Sequence, residues 1–162
     1  MISVNPLGKS LTELKLERLL KANKEHVDIG HFEESGEHYS GFTFPELMKL
    51  HHKGYEGVPA RPVLEHLFHN HLHILDHPDV LRAVKRYTDS KMTEKDLTTM
   101  LKAVGRAMAM EEVDIFGSNA LVRNSRSTIR IKGEDAPLVH TQELVNETSY
   151  KDSITKVRKK VL

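Results

Sequence analysis

No stretch of this chain leaves its backbone less freedom than GYEGVPARP at positions 54–62. Pro59 and Pro62 each fix φ and remove an amide donor, so the residues around Arg61 are held extended before a helix can start. Pro62 also suits a first helical turn, where a missing amide hydrogen does little harm. Gly54 and Gly57 punctuate a turn just ahead of it. Leu64, Leu67, Phe68, His71 and Leu75 then recur at helical spacing, which predicts a helix from Pro62 to the Asp76-His77-Pro78 break. A stiff turn that opens onto such a helix reads as an assembly joint and not as a catalytic pocket.

The same spacing lays out the other elements. Ser10 and Glu13 form a helix-start signal, and Leu16, Leu19 and Leu20 supply one apolar face to about position 23. HVDIGHF, positions 26–32, alternates Val27, Ile29 and His31 against Asp28 and Gly30 and predicts a strand. After a loop, Pro45 opens a short helix that carries Leu47, Met48 and Leu50 and closes at Gly54. A short helix is expected at positions 80–87. A long one follows, capped by Thr93 with Asp96 in its first turn and Leu97, Leu101, Val104, Met108 and Ile115 along one stripe. Gly117-Ser118-Asn119 stops it. The remainder is expected to be loop-rich, with extended pieces at positions 128–131, 137–139 and 149–150, and a last strand or helix through Ile154, Val157 and Val161. This order predicts an α+β fold, a small antiparallel sheet from the N- and C-terminal segments packed against several central helices.

The 162 residues suffice for one core, and no linker or repeat divides them, so positions 1–162 read as a single domain. The absence of cysteine excludes disulfides, thiolate catalysis and cysteine-bearing zinc sites, and suits a reducing compartment. No window approaches the roughly 18 apolar residues of a membrane span. MISVNPLGKS lacks the apolar core of a secretory signal, so the protein is expected to stay where it is synthesised. With 24 Lys+Arg against 23 Asp+Glu the net charge is +1, and no chain-wide pull toward nucleic acid or an anionic membrane is expected. Cations gather locally instead. Lys151, Lys156, Arg158, Lys159 and Lys160 form a basic C-terminal tail expected to be solvated. Positions 118–133 carry Arg123, Arg126, Arg130 and Lys132 with few apolar residues, and are expected to be mobile in the free subunit, either as a passive loop or as an arm that orders against neighbours.

Histidine offers the most chemistry, since His66, His69, His71, His73 and His77 fall close together. On a helix His66, His69, His73 and His77 line a polar face, while His71 sits among the apolar residues as a core histidine. Only His69 and His73 share an easy ligand spacing. No HExxH pattern places a base beside them, so a polar imidazole face is preferred to a metal site. The literal His69-Asn70-His71 invites comparison with metal-dependent HNH nucleases, with His51, His52 and His77 as further members. That nuclease is the alternative function. Nucleophile elbows, phosphate loops and dinucleotide fingerprints are all missing. The adjacent pairs Glu33-Glu34 and Glu111-Glu112 diverge on any regular element and are expected to be solvated.

One likeness spans about positions 27–150. In HVDIGHFEESGEHYSGFTFPELMKLHHKGYEGVPARPVLEHLF, Gly30 ends a strand, positions 47–50 form a short helix, Gly54 makes a turn, and VPARPV occupies positions 58–63. In the second half Gly105 interrupts the long helix, and Leu121, Thr128, Lys132, Pro137, Leu138, Thr141 and Leu144 follow in order. This succession resembles the neck, or tail-completion, proteins of tailed bacteriophages, also described as minor tail, virion-morphogenesis and head–tail joining proteins. Two positions depart from the pattern: His-His-Lys-Gly stands where the family has Asn-Glu-Phe-Gly, and Thr141-Gln142 where it has Thr-Gly. Gln reaches positive φ less cheaply than Gly.

The resemblance implies a non-enzymatic structural virion protein without cofactors, assembled in the host cytoplasm as a homo-oligomeric ring, most often a hexamer. Such a ring lies at the head–tail junction or the head-proximal tail end, as tail-completion protein or tail terminator. Its neighbours are connector, tail tube or sheath proteins, and genomic DNA passes through its lumen without sequence-specific binding. Pro59, Arg61 and Pro62 are the candidate contact residues, with Arg123, Arg126, Arg130 and Lys132 beside them. The alternative for Arg61 is a pairing within its own subunit.

Overall fold

A computed structural model describes residues 11–69, 71–139 and 141–162. In chain order its elements are α1 (Leu11–Ala22), β1 (Val27–Gly30), α2 (Phe44–Lys53), α3 (Val63–His69), α4 (His71–Leu75), α5 (Pro78–Asp89), α6 (Glu94–Ile115), α7 (Arg126–Lys132), α8 (Glu143–Glu147), β2 (Ser149–Asp152) and β3 (Lys159–Lys160). A 3-10 turn at Glu33–Ser35 follows β1.

The long helix α6 is the axis of the fold, with α3, α4, α5, β1 and β2 all packed on it. Its start is encoded locally: Asp96 N–H donates to Thr93 Oγ1 at 3.2 Å, and Thr93 N–H donates to Asp96 Oδ2 at 3.0 Å. Thr43 and Glu46 make the same reciprocal cap on α2, at 3.4 and 2.9 Å. The sheet is antiparallel in the order β1-β2-β3, with Val27 opposite Asp152 and Gly30 opposite Ser149. Early and late segments therefore meet, and the expected α+β architecture holds. Gly105 lies where α6 passes under this sheet. A Cβ there would stand 2.6 Å from the Tyr150 ring and 2.7 Å from Val27 Cγ1. The main core, between α2, α3, α6 and the segments after α6, contains Phe44, Leu47, Val63, Leu67, Ile115 and Phe116. A smaller one joins Tyr87, Met92, Leu97 and Leu101. No helix among the described residues is long and apolar enough to cross a membrane.

Several expectations are corrected. Positions 128–131, expected to be extended, lie in α7, because cap signals at both ends outweigh the β-branched run. Ser125 Oγ accepts from Thr128 N–H at 3.2 Å, and Gly133 closes the helix at φ 84° by donating to Ile129 O at 2.8 Å. Pro137 and Leu138 form a turn, with Leu138 at φ 62°. The helix expected from Pro62 is α3 and α4, and position 70 lies outside the described residues, as does Ser10. The basic tail is no free arm. Lys151 pairs with Glu34 at 2.6 Å and lies over the Phe32 ring, Arg158 and Lys160 both pair with Glu147, and Lys159–Lys160 is the third strand. Lys156, Lys159 and Lys160 remain exposed, as expected of the tail, while Glu34 and Glu147 draw Lys151 and Arg158 partly inward. At Gln142, where the resembling proteins have glycine, φ is 62°. The left-handed region costs a residue with a side chain about 1 kcal/mol, so the position needs that backbone enough to hold glutamine in it.

Candidate functional site

The proline turn is built as its residues dictate. Tyr55 N–H donates to Val58 O at 3.1 Å and Val58 N–H to Tyr55 O at 2.7 Å, with Glu56 at φ 41° and Gly57 at φ 84° between them. Two positive φ angles are the mark of the type I′ turn. Gly54 is required on steric grounds, since a Cβ there would lie 2.8 Å from both Val58 O and Ala60 N. The chain then doubles back, and Arg61 N–H donates to His51 O at 2.7 Å in the last turn of α2.

That return turns Arg61 inward. It is only 7% exposed, and Nε donates to Val122 O at 2.9 Å while Nη2 donates to Arg123 O at 3.4 Å and to Asn124 Oδ1 at 3.1 Å. The within-subunit role is thus the one the geometry displays: Arg61 ties the proline turn to the segment leaving α6. Pro59 is exposed and Pro62 half-buried beside it. Replacing Arg61 with Ala would leave three acceptors without their donor. A loss of about 2 kcal/mol is expected, with faster amide exchange at positions 122–125; unchanged exchange there would contradict the tether.

Arg61 forms part of the wall of a cleft of about 400 Å³ between α2, α7 and α8. Lys132 is there too, its Nζ donating to Ala136 O at 2.5 Å, with burial holding the ammonium below its usual range against the carboxylates of Glu134 and Asp135. His51 lines it as well, and burial, then the charge of Arg61, keeps its imidazole below its ordinary value. Arg123 is exposed and pairs with Asp135, which also accepts from Asn124 N–H at 2.8 Å. The Arg123 hydrogen bond holds that carboxyl below its usual range. Arg126 and Arg130 are exposed on α7. The structure therefore brings Arg61 and Lys132 to one cleft and leaves the other cations outside it. Sequence reading missed the cleft's rim of Tyr39, Phe42, Tyr55 and Ile131, of which Tyr39 is 70% and Ile131 81% exposed. Aromatic residues in the loop EHYSGF, which has little else to bury, were the available signal.

The histidine cluster disperses into local contacts. His69 Nδ1–H donates to Glu65 O at 2.6 Å, His77 Nδ1 accepts from Asp79 N–H at 3.2 Å to cap α5, and His52 lies 3.4 Å from Glu65. Among the described residues no three His, Asp or Glu side chains stand close enough to hold a metal ion. Asn70 and the side chain of His71 lie outside what is described.

One titratable pair lies in the core instead, correcting the expectation that Glu112 is solvated. The His31 and Glu112 side chains are 1% and 0% exposed, with Nδ1 and Oε1 3.7 Å apart. His31 Nε2–H donates to Leu144 O at 2.7 Å, which leaves Nδ1 unprotonated and facing the carboxyl. Burial pushes Glu112 up to about 7 and pulls His31 below its ordinary value, so below about pH 7 the carboxyl is mostly protonated, and above its ordinary value the imidazole is neutral. Glu112 lies three residues after Ala109, seven after Gly105 and three before Ile115, on the buried side of α6.

Compared with protein-family models, curated proteins and solved structures, the chain matches none of them.

Proposed function

We propose that this chain is a structural virion subunit that closes, copy upon copy, into a ring at the head–tail junction or head-proximal tail end of a tailed bacteriophage, without catalysis. The observation that carries this reading is a pair of uncovered apolar surfaces at opposite ends of α6. The 22 residues of that helix span ~33 Å. Beside its first turn, α1 exposes Leu16, Leu19 and Leu20, held there by Lys21 at 3.9 Å from Glu94 and by Arg18 donating to Lys91 O. Beyond its last turn stands the cleft rim of Tyr39, Phe42, Tyr55 and Ile131.

A twofold dimer needs one self-complementary patch, whereas a closed head-to-tail ring needs two different ones. The order of motifs from the strand at Gly30 through VPARPV to Leu144 supports the phage setting. A net charge of +1 suits a lumen that lets DNA slide, since many phosphate contacts would hold it. Native mass spectrometry of the purified chain at about 100 µM is expected to give one closed oligomer, a hexamer, because even a weak interface populates at that concentration. A monomer or a twofold dimer there would end the ring reading.

A further inference from the structure

We propose that residues 1–4 of one copy add a strand to the free edge of β1 in a neighbouring copy, seating Ile2 and Val4 in the groove between β1 and α2. The inference rests on the head-to-tail reading above and supplies that contact with backbone hydrogen bonds.

β1 ends the sheet, so one of its sides has no strand beside it. The register shows which groups stand there. Val27 lies opposite Asp152 and Gly30 opposite Ser149, and Ser153 N–H donates to His26 O at 3.0 Å. In an antiparallel pair such exchanges recur at every second residue, so His26, Asp28 and Gly30 turn their backbone groups to β2 while Val27 and Ile29 turn theirs outward. The two edges of the sheet differ in their protection. β3 is a pair of exposed lysines, a common guard against a further strand. β1 is longer and carries one charge, Asp28.

A groove of about 300 Å³ flanks the unguarded edge, bounded by β1, α2 and α3 and by no residue of β2 or β3. Ile29, Pro45, Met48 and Leu64 make its lining mostly apolar. An added strand lies about 4.8 Å from β1, and those of its side chains that share a face with Val27 and Ile29 enter this groove. A helix has no free backbone groups to pair with Val27 and Ile29, so an extended segment is the fitting occupant.

Residues 1–10 precede α1 and lie outside what is described. Met1-Ile2-Ser3-Val4 sets two β-branched residues on one side of a strand, and Asn5-Pro6 and Gly8 separate it from α1. Its own subunit's groove is a poor target. Followed back from Glu25, which accepts from Ser153 Oγ–H at 2.6 Å, the contacts of this segment pass to Glu94 at Lys21 and to Lys91 at Arg18. They recede from the half of α6 where Gly30 lies beside the Glu112 carboxyl. From Leu11 back to Val4 the chain spans at most about 24 Å, against ~27 Å of helix between Glu94 and Glu112. A neighbour's edge is the one within reach.

Because the chain has no cysteine, introduced thiols report this pairing alone. With Ile2 and Val4 in the groove, Ser3 shares the outer face with the exposed Asp28, and directly opposed residues there stand within disulfide reach. Chains carrying Ser3→Cys, mixed one to one with chains carrying Asp28→Cys at about 100 µM, are expected to join to one another. A chain carrying both substitutions is expected to give a ladder of covalent oligomers. Adding Ile2→Asp and Val4→Asp should reduce the linked fraction at least about 10-fold. Amide exchange is the second readout: in the wild-type ring the N–H groups of Val27 and Ile29 should exchange at least about 10-fold more slowly than in a chain with the two aspartates alone. A double-cysteine chain that closes on itself as a monomer places the arm on its own sheet and overturns the inference. A closed ring in which no thiols join, and in which Val27 and Ile29 exchange as fast as in the aspartate variant, also overturns it and leaves the ring reading standing. A wild-type chain that stays monomeric at that concentration overturns both.

Discussion

Glu112→Gln is expected to stabilise the protein by about 3 kcal/mol at pH 8 and to change it little at pH 4.5. The carboxyl sits at about 7 in the folded chain against an ordinary value of 4.5, and burial alone raises it. Between those two pH values the unfolded chain releases a proton that the folded chain keeps. The contribution of Glu112 is therefore fully present below 4.5 and is lost as pH rises through about 7. At about 1.36 kcal/mol per pH unit, that interval corresponds to about 3 kcal/mol. Gln keeps the shape, cannot ionise, and can donate from its amide to the free Nδ1 of His31.

His31 slopes the other way. Its pKa is lowered from 6.5, mainly by burial, with the Leu144 hydrogen bond and Glu147 opposing and Arg158 adding to the shift. Its stabilisation is complete above 6.5 and fades as pH falls. In the wild type the two slopes offset one another over the acidic range. In the variant the His31 slope is no longer offset, and His51, lowered from the same ordinary value, adds a slope of the same sign, so stability should climb toward pH 6.5 and stay level above it. Urea titrations from pH 4.5 to 8 report both curves. Parallel profiles for the two proteins would mean that Glu112 ionises freely in the fold, and the buried neutral pair would be wrong.

Gly105→Val should be the most damaging single change outside the leucine core, costing about 3 kcal/mol. The added atoms have nowhere to go, because even a Cβ would lie 2.6 Å from Tyr150 Cδ2 and 3.0 Å from Tyr150 Cγ on one side and 2.7 Å from Val27 on the other. Tyr150 is buried, and the clash reaches Cγ at the root of its ring, so relief requires β1 and β2 to move off α6. Valine's better helix propensity returns only about 0.5 kcal/mol. The checks are a chemical melt and the chemical shifts of positions 27–30 and 149–152. A variant as stable as wild type would mean that helix and sheet are not in close contact at this point.

Much of the fold was legible because its signals are local. Thr93 with Asp96 announces α6, Pro45 and Gly54 bracket α2, and the alternation around Ile29 marks β1. Each needs only residues within a turn or two. The α7 helix was misread because Thr128, Ile129 and Ile131 favour a strand on their own, while the deciding signals, Ser125 and Gly133, stand at its edges. Glu112 was misread as one of an adjacent pair, although its spacing to Gly105, Ala109 and Ile115 places it on the apolar side of α6. The candidate site was half legible. The turn and Arg61 could be named, but the apolar rim could not be assembled from three separated segments.

What the sequence alone determined is therefore the set of elements and the stiff turn at positions 54–62, since caps, glycine φ angles and proline geometry act over a few bonds. Only the tertiary structure decided which way Arg61 points, that the basic tail becomes a strand, and that His31 meets Glu112. Those outcomes join residues far apart in the chain, and the free energy of burying a charge or pairing a strand is set by partners that local sequence does not name.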